Sequence, residues 1–285
     1  MTLISIICSL ALEYFLGVLD RMRDFGWIES YAGWLEQRFA GKAFWEGPEG
    51  VLLTVAGPVL ALALLAVLLA QSHLVFGFLL ATAVLIHTLG PDLNSRLDKY
   101  VLALQAHDDA GIPSLEEGLQ VAGVAGEEEG ERMMRSILVR SHDHLFGIIF
   151  WFIVLGMCGA LLYRLAVQLR MRCAGRGGGH ADAVRRLCAI LMWPSARLQA
   201  VGFALMGDLV SALERWRKVS ADPLADSEQI IGSVGLGALR YGSTGEHEEV
   251  AKFADWVLEA QALINRTLVV WLTILGVMTI AGWLA

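Results

Sequence analysis

The distribution of apolar and polar residues along the chain predicts a series of membrane-spanning helices. Residues 145–163, here called the central run, carry no charge and are long enough to cross about 30 Å of hydrocarbon at ~1.5 Å per residue. Residues 51–91 also lack formally charged side chains, and their length fits two crossings, 51–70 and 74–89, joined by a tight turn. Residues 267–285 are uncharged as well and predict a terminal crossing.

The central run is also rich in small residues, which lie at helical spacings. They are Gly147, Gly156, Gly159 and Ala160. Small side chains allow another helix to approach closely in lipid. We therefore expect the central run to pack against another helix rather than to serve as a plain anchor.

Two further apolar segments each contain an ionisable residue. Residues 1–19 are interrupted by Glu13, whose carboxylate would either face protein or water within the membrane or lie among the headgroups. Residues 187–206 are apolar apart from Arg197, and Trp193-Pro194 lies in the middle. Because proline bars an unbroken helix and arginine is costly at depth, we expect a broken, partly embedded helix here.

The polar segments between these runs follow helical periodicity. Residues 20–50 predict an amphipathic helix near the interface, and residues 92–144 and 208–263 predict helices outside the membrane. The glycine-rich segment 175–180 lacks a P-loop pattern and predicts a flexible linker. Alternation typical of strands is absent. We predict an all-α polytopic helical membrane protein with about four to five spans, one broken or re-entrant helix and amphipathic interfacial helices. Its predicted segments are 1–50, 51–91, 92–144, 145–206, 207–263 and 264–285.

Composition supports a membrane protein and argues against several partners. Hydrophobic residues make up 56% of the chain and charged residues 18%, below the ~25% typical of soluble domains. A net charge of −7 argues against nucleic acid, which requires a basic face. The four cysteines lack metal-binding spacing. The N-terminus has neither a basic region nor an A-x-A-like cleavage site, so we expect it to be retained.

Ionisable residues inside or at the mouths of apolar segments are the candidates for function. Arginines can clamp a phosphate or carboxylate, and a carboxylate can act as a base or hold a metal. Asp143 is therefore the candidate catalytic residue. The predicted ligand-binding residues are Glu13, Arg140, Asp143, Arg164 and Arg197.

A structural role is the alternative for the same side chains. In that case Arg164 extends to the interface, and Arg197 forms a salt bridge with Asp143 or Glu13. His142 and His144 have a spacing that suits a metal, but a third ligand is missing from the sequence pattern. We therefore predict no metal site.

Two motifs resemble the CobD/CbiB membrane superfamily. Phe150-Trp151, Leu155-Gly156 and the sequence GALLYR at 159–164 look like its signature. Asp143 matches the Asp of an N-T-S-D-G context in the cobinamide-phosphate synthases. The sequence WPSARL at 193–198 resembles the W-x-P-A-R-L motif, with proline directly after tryptophan. The N-terminal D-x-x-x-G-D-P and P-H-P-V motifs of these cobalamin enzymes are absent, and Leu12-Glu13-Tyr14 stands in place of the first.

The N-terminal sequence MTLISIICSLALEYFL and the overall length resemble the AmpE branch of this superfamily. AmpE proteins are inner-membrane proteins described as modulators of β-lactamase induction and cell-wall signalling. This resemblance implies a multi-pass protein of the bacterial inner (cytoplasmic) membrane. Its implied partners are the lipid bilayer and a cell-wall fragment or a membrane protein.

Three functional hypotheses follow. The first, which we favour, is a non-enzymatic signalling modulator that binds a ligand or partner, as in AmpE. The second is a membrane transferase or ligase-like enzyme that acts on a phosphate-bearing substrate and uses a nucleotide with magnesium, as the cobalamin branch implies. The third is a transporter, which broken helices and charges within the membrane favour. The missing N-terminal motifs argue against the second, and the absence of a recognisable inverted repeat argues against the third.

Overall fold

The structure is a computed structural model that describes residues 2–16, 25–42, 44–70, 74–89, 93–108, 110–117, 119, 128–219, 226–242 and 250–282. These residues form helices and turns without any strand, which confirms the all-α prediction. The helices are α1 (Thr2–Leu16), α2 (Gly26–Phe39), α3 (Pro48–Ala70), α4 (Leu74–Thr88), α5 (Leu93–Gln105), α6 (Ile112–Glu117), α7 (Glu129–Ser141), a π-helical turn (His142–Phe146), α8 (Gly147–Arg172), α9 (Gly179–Met206), α10 (Leu209–Val219), α11 (Ser227–Ala238) and α12 (Val250–Ile280).

Five stretches of the described chain are long and apolar enough to cross a membrane, in agreement with the four to five predicted spans. They are Pro48–Leu69, Val75–Gln105, Glu129–Arg172, Gly179–Met206 and Phe253–Ile280. The protein is therefore a polytopic helical membrane protein.

The chain divides into two compact units, and the first unit comprises residues 1–91, 147–192 and 282–285. Within it, α8 packs against α3 and α4, and α4 packs against α1. The amphipathic α2 contacts α8 and buries its apolar side chains Ile28, Ala32 and Leu35. This burial fits the predicted amphipathic character of the segment.

The second unit comprises residues 92–146 and 193–281. Helices α10 and α11 pack against each other, α11 packs against α7, and α12 packs against α5 and α7. On α11, Gly232 allows α7 to approach closely, because a Cβ at this position would collide with the side chain of Arg135. The second half of α9 belongs to this unit, whereas the first half belongs to the first unit.

The broken helix lies at Gly156 in α8, not at Pro194. At Gly156 the backbone has φ 65° and ψ −154°, a conformation open essentially to glycine alone. In a straight helix Gly147 and Tyr163 would be about 24 Å apart. Instead, a Cβ at Gly147 would collide with the Tyr163 ring, and a Cβ at Gly159 would collide with the Trp151 carbonyl.

These collisions show that α8 folds back on itself at Gly156. The prediction that the central run forms one continuous helix is therefore wrong, and Gly147 and Gly159 serve the contact between the two arms of α8. The broken helix therefore lies in α8 and not at 187–206, where we predicted it.

The predicted break at Trp193-Pro194 is wrong, because α9 is one helix of 28 residues that contains Pro194. Proline removes the hydrogen bond to the carbonyl of Ile190, four residues earlier. At the adjacent Leu191 carbonyl, the indole nitrogen of Trp151 donates a hydrogen bond of 2.9 Å. This bond is one residue beyond the carbonyl that loses its helical donor, and α9 continues through Pro194 without that one backbone hydrogen bond.

The C-terminal part of the chain also differs from the predicted division. Helix α12 runs without interruption from Val250 to Ile280 and passes through Asn265 and Arg266. The predicted boundary between 263 and 264 falls inside this helix. The sequence is amphipathic before this boundary and apolar after it. The helix continues across the boundary, because a change from amphipathic to apolar composition does not end a helix.

Candidate functional site

A buried polar cluster lies in the second unit, at the junction of α7 and the π-helical turn. Ser141, His142 and Asp143 are all 0% exposed. A single π turn within a longer helix is uncommon and is frequently found at functional sites. The turn includes Asp143, the predicted catalytic residue.

Four of the buried side chains form a continuous hydrogen-bonded chain, here called the Ser–His–Gln network. Ser141 Oγ donates to the Leu138 carbonyl at 2.6 Å and accepts from Gln199 Nε2 at 2.9 Å. Gln199 Oε1 lies 2.6 Å from His142 Nδ1. His142 Nε2 lies 3.1 Å from Ser195 Oγ.

The network determines where the hydrogen lies on the neutral imidazole of His142. Gln199 uses its amide nitrogen as donor to Ser141, so its amide oxygen must accept from His142 Nδ1. The other ring nitrogen, Nε2, then accepts from the hydroxyl of Ser195. On α9, Ser195 and Gln199 are four residues apart and share one face. The network thus joins α9 to the π turn that carries Asp143.

Asp143 forms an ion pair with Arg140 inside this cluster. Arg140 Nη1 lies 3.8 Å from Asp143 Oδ2, and their side chains are 11% and 0% exposed. Arg140 Nε also donates to the Leu119 carbonyl at 3.4 Å. A buried carboxylate is costly unless it is paired, and the arginine three residues earlier provides that charge. Arg140 and Asp143, two of the five predicted ligand-binding residues, are therefore in contact in the structure.

Arg197 does not form the expected salt bridge with Asp143. Its Nη1 donates to the Trp193 carbonyl at 3.1 Å, and its guanidinium lies 4.3 Å from the centre of the Trp193 ring. Both contacts lie within one turn of α9. Glu13, the other expected partner, belongs to α1, but its side chain lies outside the described part of the chain.

Arg164 lies in the first unit and is buried rather than extended to the interface. Its side chain is 2% exposed, and its guanidinium is 4.1 Å from the centre of the Phe25 ring. An arginine over an aromatic face gains a cation–π interaction that is strongest when the charge is removed from water. The expectation that Arg164 reaches the interface is therefore wrong.

The described residues contain no group of three or more His, Cys, Asp and Glu side chains that could hold a metal ion. For His142 the structure gives a further reason, because both of its ring nitrogens take part in the Ser–His–Gln network. A metal ion would have to displace Ser195 or Gln199. Of the two histidines in the H-x-H spacing, His142 therefore has a structural role as a member of this network.

Sequence reasoning identified His142 and Asp143 but missed three members of the cluster, Ser141, Ser195 and Gln199. The available signal was a pair of polar residues four apart within an apolar helix, at 195 and 199. That spacing places both side chains on one face of the helix, but it does not predict which distant residue they contact.

Two curated proteins are similar to the chain. One, named "Cobalamin biosynthesis protein CobD", is from Stutzerimonas stutzeri and is 31% identical over 176 residues, which are 55% of this chain and 57% of that protein. The other has the same name, is from Chromobacterium violaceum, and is 28% identical over 176 residues, 54% of this chain and 53% of that protein. The chain thus spans a little over half the length of the curated relatives it matches. No family model and no solved structure matches the chain.

Both relatives carry the CobD name, and neither is an AmpE protein. Their similarity supports the resemblance to the CobD/CbiB superfamily, which the motifs at 143–164 and 193–198 had indicated. The chain is a multi-pass helical membrane protein that is similar to the CobD proteins of that superfamily.

Proposed function

We propose that the chain is a membrane transferase or ligase-like enzyme of the CobD/CbiB superfamily that acts on a phosphate-bearing substrate, as cobinamide-phosphate synthases do. One observation carries this proposal. The segment around Asp143 meets the WPSARL segment in the structure, because His142, next to Asp143, bonds to Ser195 within that segment and to Gln199 beside it.

In this proposal Asp143 is the catalytic residue. Its carboxylate is removed from water and its charge is balanced by Arg140 at 3.8 Å. The Ser–His–Gln network fixes the π turn and so orients Asp143 relative to α9. Arg197 lies in the same motif segment but on the opposite face of α9 from Ser195 and Gln199, so it would bind the phosphate of the substrate at a separate place.

A nucleotide with magnesium is the cofactor that this enzymatic function implies. Magnesium bound together with a nucleotide takes one or two carboxylates and completes its shell with phosphate oxygens and water. Asp143, whose carboxylate is 0% exposed and paired with Arg140, would hold the metal only after this pair opens to the ligand. The bound nucleotide would supply activation of the group that is transferred.

Signalling modulation of the AmpE type is the second candidate function. It is favoured by the missing N-terminal motifs, since Leu12-Glu13-Tyr14 stands where the cobalamin enzymes have D-x-x-x-G-D-P. In that case the polar cluster would bind a cell-wall fragment or support a contact with a membrane protein, without chemistry. The inner membrane is the compartment that both candidates imply.

Complementation distinguishes the two candidates. The chain is expressed in a bacterial strain that lacks its CobD protein and in one that lacks its AmpE protein. We expect the chain to restore cobalamin-dependent growth of the first strain and Asp143→Asn to abolish this. Asp255→Asn, which changes an exposed carboxylate on α12, is the matched control and should behave as wild type. Restored β-lactamase induction without restored cobalamin synthesis would overturn the enzymatic proposal and establish the second candidate.

A further inference from the structure

A small polar cavity lies in the first unit, where three apolar helices begin or end. Helix α3 begins at Pro48, α8 ends at Arg172 and α9 begins at Gly179. About 10–15 Å³ is enough to hold one water molecule, and this cavity of about 120 Å³ therefore has room for a group of several heavy atoms. Its lining includes Glu36, Trp45, Arg172, Cys173, Arg176 and His180.

The formal charges around the cavity are positive in sum. Arg172 Nη2 lies 2.7 Å from Glu36 Oε2, and Arg176 Nη1 lies 3.6 Å from Glu36 Oε1, so one carboxylate serves two guanidinium groups. Arg172 is held further by its Nη1, which donates to the Glu29 carbonyl at 2.9 Å. The side chain of Arg176 is 56% exposed. Because a guanidinium has five N–H donors, Arg176 retains donors for a further acceptor.

His180 is fixed at the wall of the same cavity. Its Nδ1 lies 3.0 Å from the Trp45 carbonyl, and its ring stacks on the Trp45 indole with 4.9 Å between centroids. A carbonyl oxygen only accepts hydrogen bonds, so Nδ1 carries the hydrogen. The imidazole is thereby held in one orientation beside the two arginines.

The glycine-rich connection between α8 and α9 forms part of this wall. Gly175 and Gly178 have φ values of 73° and 116°, which favour glycine, and a Cβ at Gly179 would collide with the Glu46 carbonyl. In the structure this connection, which the sequence predicted to be a linker, forms a turn that brings Arg176 and His180 to one cavity.

We propose that this cavity binds a small oxyanion, the phosphate group of a phosphoester, with Arg172 and Arg176 as its main ligands. Guanidinium groups bind phosphate through strong, charge-assisted and often bidentate hydrogen bonds. Helix ends that flank apolar runs lie at the level of the headgroups, so the phosphate is either part of a lipid headgroup or comes from solution. This site contains neither Asp143 nor the Ser–His–Gln network, and it does not depend on the function proposed above.

The first test measures the binding of inorganic phosphate by the full chain purified in detergent. We expect saturable binding that Arg176→Gln weakens about tenfold or more, because the variant removes a charge that assists the hydrogen bonds to phosphate. Arg172 is retained because it also holds Glu29 and Glu36. Arg217→Gln is the matched control, since Arg217 is an exposed arginine on α10 that does not line the cavity.

A second variant, Glu36→Gln, tests whether the negative charge of Glu36 weakens phosphate binding. The amide keeps an oxygen for Arg172 but removes the negative charge that competes with phosphate. Phosphate affinity should therefore rise several-fold, whereas a general loss of structure would lower it. Weaker binding in Glu36→Gln, or equal losses in Arg176→Gln and Arg217→Gln, would overturn the proposal.

Native mass spectrometry of the protein released from nanodiscs distinguishes the two sources of phosphate. Retention of phosphatidic acid over phosphatidylcholine, lost in Arg176→Gln, would assign the site to a lipid headgroup. Binding of inorganic phosphate without retained phosphatidic acid would assign it to a soluble phosphoester. If neither probe binds in a saturable way, the proposal is wrong.

Discussion

At the scale of single residues, the buried polar site depends on His142. Its two ring nitrogens meet Gln199 and Ser195, which are 57 and 53 positions away along the chain. In this dry environment a polar atom that loses its partner cannot turn to water instead. The sequence predicted His142 and Asp143 because they stand beside an apolar run. It did not predict their partners, because pairing across more than fifty residues depends on how helices pack.

Removal of one hydroxyl tests the network. Ser195→Ala should lower the free energy of unfolding by about 1–3 kcal/mol, because it leaves His142 Nε2 buried without this donor. Ser30→Ala changes an exposed serine on α2 and should have little effect. Thermal unfolding in detergent provides the comparison. Equal stability of the two variants would mean that the bond between Ser195 and His142 does not contribute.

Asp208, at the start of α10, makes a contribution to the stability of the fold that depends on pH. Its carboxylate accepts the backbone N–H of Ser211 at 2.8 Å and pairs with Arg240. The hydrogen bonds from Ser211, and then the charged Arg240, lower the pKa of Asp208 from 3.8 to about 2. A carboxyl whose pKa is lower in the folded state stabilises the fold above the pKa of the unfolded state. That stability is lost as the pH falls from about 4 towards 2.

The Asp208→Asn variant should therefore melt at a lower temperature than wild type at pH 6, and the difference should shrink as the pH approaches 2. Asp255→Asn serves again as the control, since its carboxylate is exposed. A difference between wild type and Asp208→Asn that stays constant from pH 6 to pH 2 would contradict the assigned cause.

At the scale of elements, α8 differs most from its prediction. Apolar length correctly located α3 and α4, which were predicted as crossings at 51–70 and 74–89. The same length rule failed for the central run. Hydropathy does not distinguish a straight crossing from one that turns back, and the turn depends on the backbone conformation of a single glycine.

Gly156→Ala tests that turn. No side chain or backbone atom blocks a Cβ there, but φ is 65° and ψ is −154°, so the cost is one of backbone strain. We expect a loss of about 1–3 kcal/mol in the free energy of unfolding. Gly276→Ala in α12 is the matched control, because a Cβ there also meets no atom within 4 Å and the backbone is helical. If both variants unfold alike, α8 does not turn at Gly156.

At the scale of the whole molecule, the similarity to CobD proteins and the buried polar site both support the proposed enzymatic function. The relatives share about half their length with this chain, and His142, next to Asp143, bonds to Ser195 of the WPSARL segment. The central claim is that this site, with Asp143 as its catalytic carboxylate, serves a phosphate-bearing ligand.

The measurement that tests this claim most directly is thermal unfolding of the detergent-purified protein with nucleotide and Mg²⁺, with a corrinoid, and with a muropeptide. A ligand at about a hundred times its Kd should stabilise the protein by ~2.7 kcal/mol. We predict that nucleotide with Mg²⁺ raises the melting temperature of wild type and of Asp255→Asn but not of Asp143→Asn. Stabilisation by the muropeptide alone, unchanged in Asp143→Asn, would contradict the account and favour the signalling function.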